Sequence, residues 1–537
     1  MKRFKSVGVG ALVVMMIAAV PGLALQVAAA EGDQDSMLVV VLDGSPEERG
    51  FDYGRLAGEQ IRGNLELFWL DVEAEDMSPA GVRQRAEWNE ATVPEDMRRE
   101  IRAMAAGADV DYIDLLAMNM YGTSVGGMGG CTQFVAAGSG TVDGNVVASK
   151  NRDESGVNIL MVMKPTEETY GFIAVTEAGY WGVSFGLNEM SLCDGNNWMP
   201  IPDDAFFEGG YTELTSNRMV LERCATVDEA IQMMDDLPKY GGSTLMVADM
   251  NEGAFIETVP SDGEGYWLDP ETPDIVAVKV TDGIACHANH YLYEPYYSMV
   301  LYEGFGAMWT PSIARYDNGM RLIEEAGNVV SAEQVISFCR DLEDFGNSHP
   351  NWIKDDHPEI PWECWEDGWP GFSICNARTV SSGVFEMSSE CPEMLSRMWT
   401  AIYNPCWCPY VPLHNALVKE PEAAGEALMP YRDGTAWLVS MRLRSVNENE
   451  WGCMVPTFEE WEDEARTALA ADETYALSLI GSGQPGEAAA YLTTEDCARA
   501  LDAIDLMLSL GSWVEGEYDE NSSGEGLRSG EVGDKQA

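Results

Sequence analysis

The chain has 537 residues, 46% of them apolar, enough for one large domain or two to three ordinary ones with a substantial core. Ninety acidic residues oppose 32 basic ones, a formal net charge of −58, which excludes nucleic acid and an anionic membrane surface as electrostatic partners. The acid excess is spread along the chain, which favours a solvated surface adapted to high salt over an acidic binding protein.

Met1 to Ala30 reads as a secretory signal. Lys2, Arg3 and Lys5 form its positive region, Val7 to Val20 its apolar region, and Ala28-Ala29-Ala30 a cleavage site before Glu31. That apolar run is 14 residues, shorter than the ~20 of a membrane span, and Pro21 interrupts it. The mature protein is therefore expected to be secreted or periplasmic, without membrane insertion. Twelve cysteines in an exported chain allow disulfides. His287 and His290 lie three apart, but no further ligand follows at metal-site spacing, so neither a metal nor a cofactor is expected.

Met37 to Leu42 reads as a strand, followed by a Gly44-to-Gly54 segment that runs into a helix through Ile61 and Leu65. Residues 80–107 are strongly helical, and Ile113 to Asn119 starts a second helical stretch. Thr123 to Gly130 is Gly-rich, a link able to bend. Gly130 to Asp153 then reads as a β-hairpin: Thr132 to Ala137, an Asp143-Gly144 turn, and Val146 to Ser149 returning. Antiparallel pairing lays the two strand ends side by side, which gathers Cys131, Lys150, Asn151 and Asp153. On pattern alone, Cys131 reads first as a small buried hydrophobe.

Strands are expected over 159–165 and 170–177, then a strand–turn–strand from Tyr180 to Trp198 that carries Gly186, Asn188, Ser191 and Asn197. A loop running into a helix over 209–223 and a helix over 226–237 precede a hairpin of 242–249 with 253–259. Ala285 to Tyr291 carries His287, Asn289 and His290, and Ser312-x-x-Arg315 opens a helix. Helices follow over 459–470 and 493–510, and Tyr518 to Ala537 reads as a disordered tail.

Gly130-Cys131-Thr132, the Asp143-Gly144 turn and Asn151-x-Asp153 resemble the opening hairpin of N-terminal-nucleophile (Ntn) cysteine hydrolases. Within these the chain is similar to the penicillin acyltransferase (isopenicillin-N acyltransferase-like) family, whose relatives are the choloylglycine hydrolases and penicillin V acylase. Asn289-His290 and Ser312-x-x-Arg315 follow in the family's order, segments 372–376 and 379–386 resemble its late strands, and the resemblance covers most of residues 40–415. It implies an α+β fold, a four-layer αββα sandwich of antiparallel sheets with extra C-terminal helices. It also implies self-cleavage at Gly130–Cys131, which divides a 31–130 pro-segment from a 131–450 catalytic domain, the two chains staying associated. A helical region over 451–517 and the 518–537 tail complete the expected organisation.

A thiol of pKa near 8.5 needs a base, and an N-terminal Cys supplies its own α-amine. The resemblance implies a thioester on Cys131 formed from a small acyl-amide substrate. Asp153 holds the α-ammonium in that scheme, Asn197 and Asn289 donate to the oxyanion, and Arg315 positions Asp153 or the thiol. Lys150 stands where the bile-salt branch has Arg, keeping the charge without the planar fork. Ser191 stands where relatives carry Gly, so that turn is expected to differ. Three alternatives stay open: a Cys–His dyad with His290, a Cys dipeptidase of the same superfamily, and an exported acidic binding protein on a dead Ntn fold.

Overall fold

The computed structural model describes residues 38–122, 130–154, 156–202, 205–303, 308–345, 357, 365–366, 373–376, 378–401, 403–420 and 454–522. The expected signal (1–30), the Gly-rich run 123–129 and the last 15 residues of the expected tail (523–537) lie outside them.

Strand β1 (Leu38–Leu42) leads into five helices: α1 (Pro46–Leu56), α2 (Gly58–Ala74), α3 (Pro79–Asn89), α4 (Glu95–Ala108) and α5 (Tyr112–Tyr121). Ser45 and Glu48 close a capping box at the start of α1. Gly54 explains the Gly spacing read in the sequence: a Cβ there would overlap the Met104 carbonyl, so α1 and α4 touch backbone to backbone.

The strands that follow are β2 (Gly130–Ala137), β3 (Val147–Asp153), β4 (Asn158–Met163), β5 (Phe172–Glu177), β6 (Phe185–Asn188) and β7 (Cys193–Met199). After α6 (Glu213–Arg223) and α7 (Val227–Asp236) come β8 (Gly242–Ala248), β9 (Gly253–Thr258), β10 (Ile275–Val280) and β11 (Gly283–His287). Helices α8 (Thr310–Glu325) and α9 (Ala332–Cys339) precede β12 (Thr379–Glu386), β13 (Arg397–Ala401) and β14 (Val411–His414). Two long helices, α10 (Val455–Gly481) and α11 (Pro485–Ser522), end the described chain.

These strands form an eight-stranded sheet, β1-β4-β5-β6-β7-β8-β9-β10, and a six-stranded sheet, β11-β2-β3-β12-β13-β14. All pairs are antiparallel except β1 with β4. Alternation along β4 shows the layering. Leu160 and Val162 join the core shared with the second sheet, whereas Ile159, Met161 and Met163 join the core under α1–α5. Phe185 and Phe385 meet edge-on across the two sheets, ring centroids 6.3 Å apart. Helices α8, α9 and α11 cover the second sheet. The fold is the expected αββα sandwich, and no described helix is long and apolar enough to cross a membrane.

The β2–β3 hairpin keeps the expected strand ends, its connection running from 138 to 146, and within it Thr141 pairs with Val330. Two local expectations change. Ser373 to Asn376 is not a strand; it bends, and Cys375 N donates to Asp341 O. The terminal helix extends to Ser522, past the expected boundary at 517. Buried ion pairs dock the α10–α11 pair. Arg340 forks onto Glu462 at 2.7 and 2.8 Å, and His414 meets Asp496 at 2.8 Å.

Candidate active site

The register of β2 and β3 sets the site. Gly130 lies opposite Asp153, Cys131 opposite Arg152, and Gln133 opposite Lys150. Directly opposed residues share a face. Cys131, Gln133, Lys150 and Arg152 therefore point between the sheets, where Gln133 Nε2 reaches Gly195 O at 2.9 Å and Arg152 reaches Glu177 at 2.5 Å. Gly130, Asn151 and Asp153 point the other way, where Asn151 Nδ2 donates to Cys339 O at the end of α9.

Cys131 is held through its backbone nitrogen, which donates to Asn289 Oδ1 at 2.7 Å. Lys150 interacts electrostatically with the thiol and donates from Nζ to Asn197 Oδ1 at 2.8 Å. Burial pushes the Lys150 ammonium down from its usual range, and Cys131 opposes that shift. Arg152 and Arg315 also interact electrostatically with Cys131.

The two asparagines are held from behind. Asn197 Nδ2 donates to Ala288 O at 2.8 Å and Asn289 Nδ2 to Trp198 O at 2.8 Å, so each amide keeps a second hydrogen. Asn289 Oδ1 also takes a bond from Arg315 Nη2 at 2.6 Å. Burial pushes the Arg315 guanidinium down, while Asp153 and then Cys131 hold it up. Ser312 Oγ accepts from Asn289 N and meets His290 Nδ1, both at 2.7 Å. Burial drives His290 well below the usual imidazole range, so its ring is neutral and engaged with Ser312.

Asp153 accepts from Asn376 Nδ2 at 2.8 Å and Thr379 Oγ1 at 2.6 Å. Its carboxylate faces the Cα of Gly130, and the acceptor of the Cys131 nitrogen is Asn289. Thus Gly130, Cys131, Lys150, Asp153, Asn197, Asn289 and Arg315 come together from five separate stretches of chain. Ser191 sits in the turn before β7 with a φ of +63°, and its hydroxyl donates to Pro392 O at 2.8 Å.

Sequence reasoning missed Arg152, Glu257, Ser312, Asn376 and Thr379 as site residues. Glu257 accepts from His287 Nε2 at 2.9 Å and from the Leu292 backbone, bracing the loop that carries Asn289. Ser312 stood within the Ser-x-x-Arg motif, which was a usable signal. Asn376 and Thr379 carry none, because only the tertiary fold brings them beneath Asp153.

The family model for acyl-coenzyme A:6-aminopenicillanic acid acyl-transferase matches residues 142–348. The chain resembles that family over this segment, which includes Lys150, Asp153, Asn197, Asn289 and Arg315 and begins after Cys131. An uncharacterized protein of Archaeoglobus fulgidus is 24% identical over 337 residues, 55% of this chain and 56% of its own length. The chain thus spans little more than half of that relative. Among solved structures, a Caenorhabditis elegans N-acylethanolamine-hydrolyzing acid amidase ortholog matches at 15% identity and a TM-score of 0.28, covering 47% of this chain and 92% of its own. A mutant conjugated bile acid hydrolase from Clostridium perfringens matches at 11% identity and a TM-score of 0.29, covering 51% and 89%.

Proposed function

We propose that this chain, similar over 142–348 to the acyl-transferase family, is an autoproteolytic N-terminal cysteine hydrolase or acyltransferase. Its substrate is a small acyl-amide, and the linear amide bond is cleaved through a thioester on Cys131. The supporting observation is the hold on Cys131, whose nitrogen donates to Asn289 Oδ1, with Lys150 bound to Asn197 and interacting electrostatically with the thiol.

Activation begins when the Cys131 sulfur attacks the Gly130 carbonyl carbon. The Gly130–Cys131 C–N bond breaks, the nitrogen gains a proton, and a thioester joins Gly130 to the sulfur. Water hydrolyses that ester, leaving a Gly130 carboxylate and a Cys131 with free amine and thiol. The residue-31 and residue-131 chains stay associated, because β1 and α1–α5 carry one wall of a shared apolar core.

In turnover the α-amine takes the thiol proton, and the sulfur attacks the substrate amide carbon. The oxyanion receives the second amide hydrogens of Asn197 and Asn289, with Lys150 adjacent. Asp153, behind Gly130, steadies the α-ammonium. That ammonium protonates the leaving amine. The thioester then passes its acyl group to water or to an acceptor amine, the two outcomes sharing every earlier step. Export with removal of residues 1–30 places this chemistry outside the cytoplasm.

Denaturing electrophoresis with N-terminal sequencing tests the reading. Wild type yields a fragment beginning at Cys131, and Cys131→Ala yields one uncut, inactive chain. An active enzyme that remains a single uncut chain defeats the mechanism.

A further inference from the structure

Asp153 rests on Asn376, and the residue before Asn376 is Cys375, fully buried. Its sulfur lies 2.7 Å from that of Cys406, also fully buried. Asn404 ties the two segments together: its Nδ2 donates to Asn376 O at 2.7 Å, and its Oδ1 receives Cys406 N at 3.1 Å and the Cys375 thiol at 3.2 Å. Arg340 anchors the 404–408 loop from the far side, giving Nε to Pro405 O at 2.8 Å. Both cysteines thus sit on backbone already fastened in register. Cys408 is turned away, its sulfur 3.5 Å from the Asn404 carbonyl.

We propose that Cys375 and Cys406 are a disulfide site, whose closure fastens Asn376 in place beneath Asp153. The oxidant is a disulfide donor, either oxidised glutathione or a dithiol–disulfide oxidoreductase of an oxidising compartment. One cysteine thiolate attacks the donor disulfide, forming a mixed disulfide and releasing one donor thiol. The second cysteine, losing its proton, displaces the other donor thiol. The pair gives up two electrons and two protons, and the donor gains both. Burial raises the Cys375 thiol well above its usual range, so exchange belongs to the folding chain, and the finished bond is sheltered from reductants. Its consequence for Asp153 rests on the proposed catalytic role, but the bond itself is read independently of activity.

The experiment takes the full chain, unfolded in guanidinium and refolded with oxidised glutathione. The product is unfolded again with iodoacetamide and no reductant, then digested for mass mapping. A peptide pair joined through Cys375 and Cys406, lost on adding dithiothreitol, is expected. Alkylation of both cysteines, or a bond from either to Cys408 or any other cysteine, overturns the proposal. Thermal melts supply a second measurement. Oxidised wild type melts above reduced wild type, and the Cys375→Ala/Cys406→Ala variant shows no such gap. An equal gap in the variant assigns the effect to another pair and overturns the proposal as well.

Discussion

Gly130 has its Cα against the carboxylate of Asp153. A Cβ added there would overlap Asp153 Oδ2 and press on Arg315 Nη2 at 3.2 Å. The residue on the acyl side of the proposed scissile bond is thus confined by the two charges that sit behind the site.

Gly130→Ala is expected to slow self-cleavage about tenfold or more. The buried Asp153 and Arg315 must shift to admit the methyl group, a strain of about 1–3 kcal/mol, and 1.4 kcal/mol alone is a factor of ten. Pulse-labelled precursor followed by electrophoresis measures the rate. Cleavage at the wild-type rate removes steric confinement of Gly130 from the mechanism.

Asn289→Ala is expected to lower kcat by about 10²–10³ with a smaller change in KM, the usual cost of removing an oxyanion donor. The same variant deprives the Cys131 nitrogen and Arg315 Nη2 of their shared acceptor, so precursor processing slows too. Steady-state kinetics on processed enzyme separate the two effects. An unchanged kcat takes Asn289 out of the site.

Individual strands were legible from short apolar runs such as 159–163 and 172–177, and the sandwich from the resemblance carried by Gly-Cys, Asn-His and Ser-x-x-Arg in a fixed order. The partners of those residues were not legible. Asn376 lies 223 positions from Asp153, and Trp198 and Ala288 act through backbone carbonyls that any residue offers. The pairing of Thr141 with Val330 was hidden for the same reason. The α10–α11 pair gave helices without a role. Its role is set by Glu462 and Asp496, which meet Arg340 and His414 only in the folded chain.

Stability is expected to rise with salt. A net charge of −58 repels itself at low ionic strength, and at 1 M the screening length falls to about 3 Å. The buried pairs Arg340–Glu462 and Arg218–Glu100 are screened far less and persist. Melting temperatures between 0.1 and 2 M potassium chloride record the trend. A clear fall over that range counts against the high-salt reading of the acidic surface.

Asp194→Asn is expected to stabilise the protein near neutral pH and to have little effect near pH 4. Asp194 lies in β7 opposite Val247, on the sheet face packed by α6 and α7, and is fully buried. Burial holds its carboxyl well above the usual range. The unfolded chain releases that proton near pH 3.9, whereas the folded chain keeps it to higher pH. Folding therefore takes up a proton between those two values. The contribution is fully present below about pH 3.9 and is lost as pH rises toward the folded value. Asn mimics the neutral acid at every pH and removes this penalty. Melting curves of wild type and variant from pH 4 to 8 should diverge as pH rises, the variant on top. Parallel curves across the range would mean that Asp194 is ionised in the folded protein.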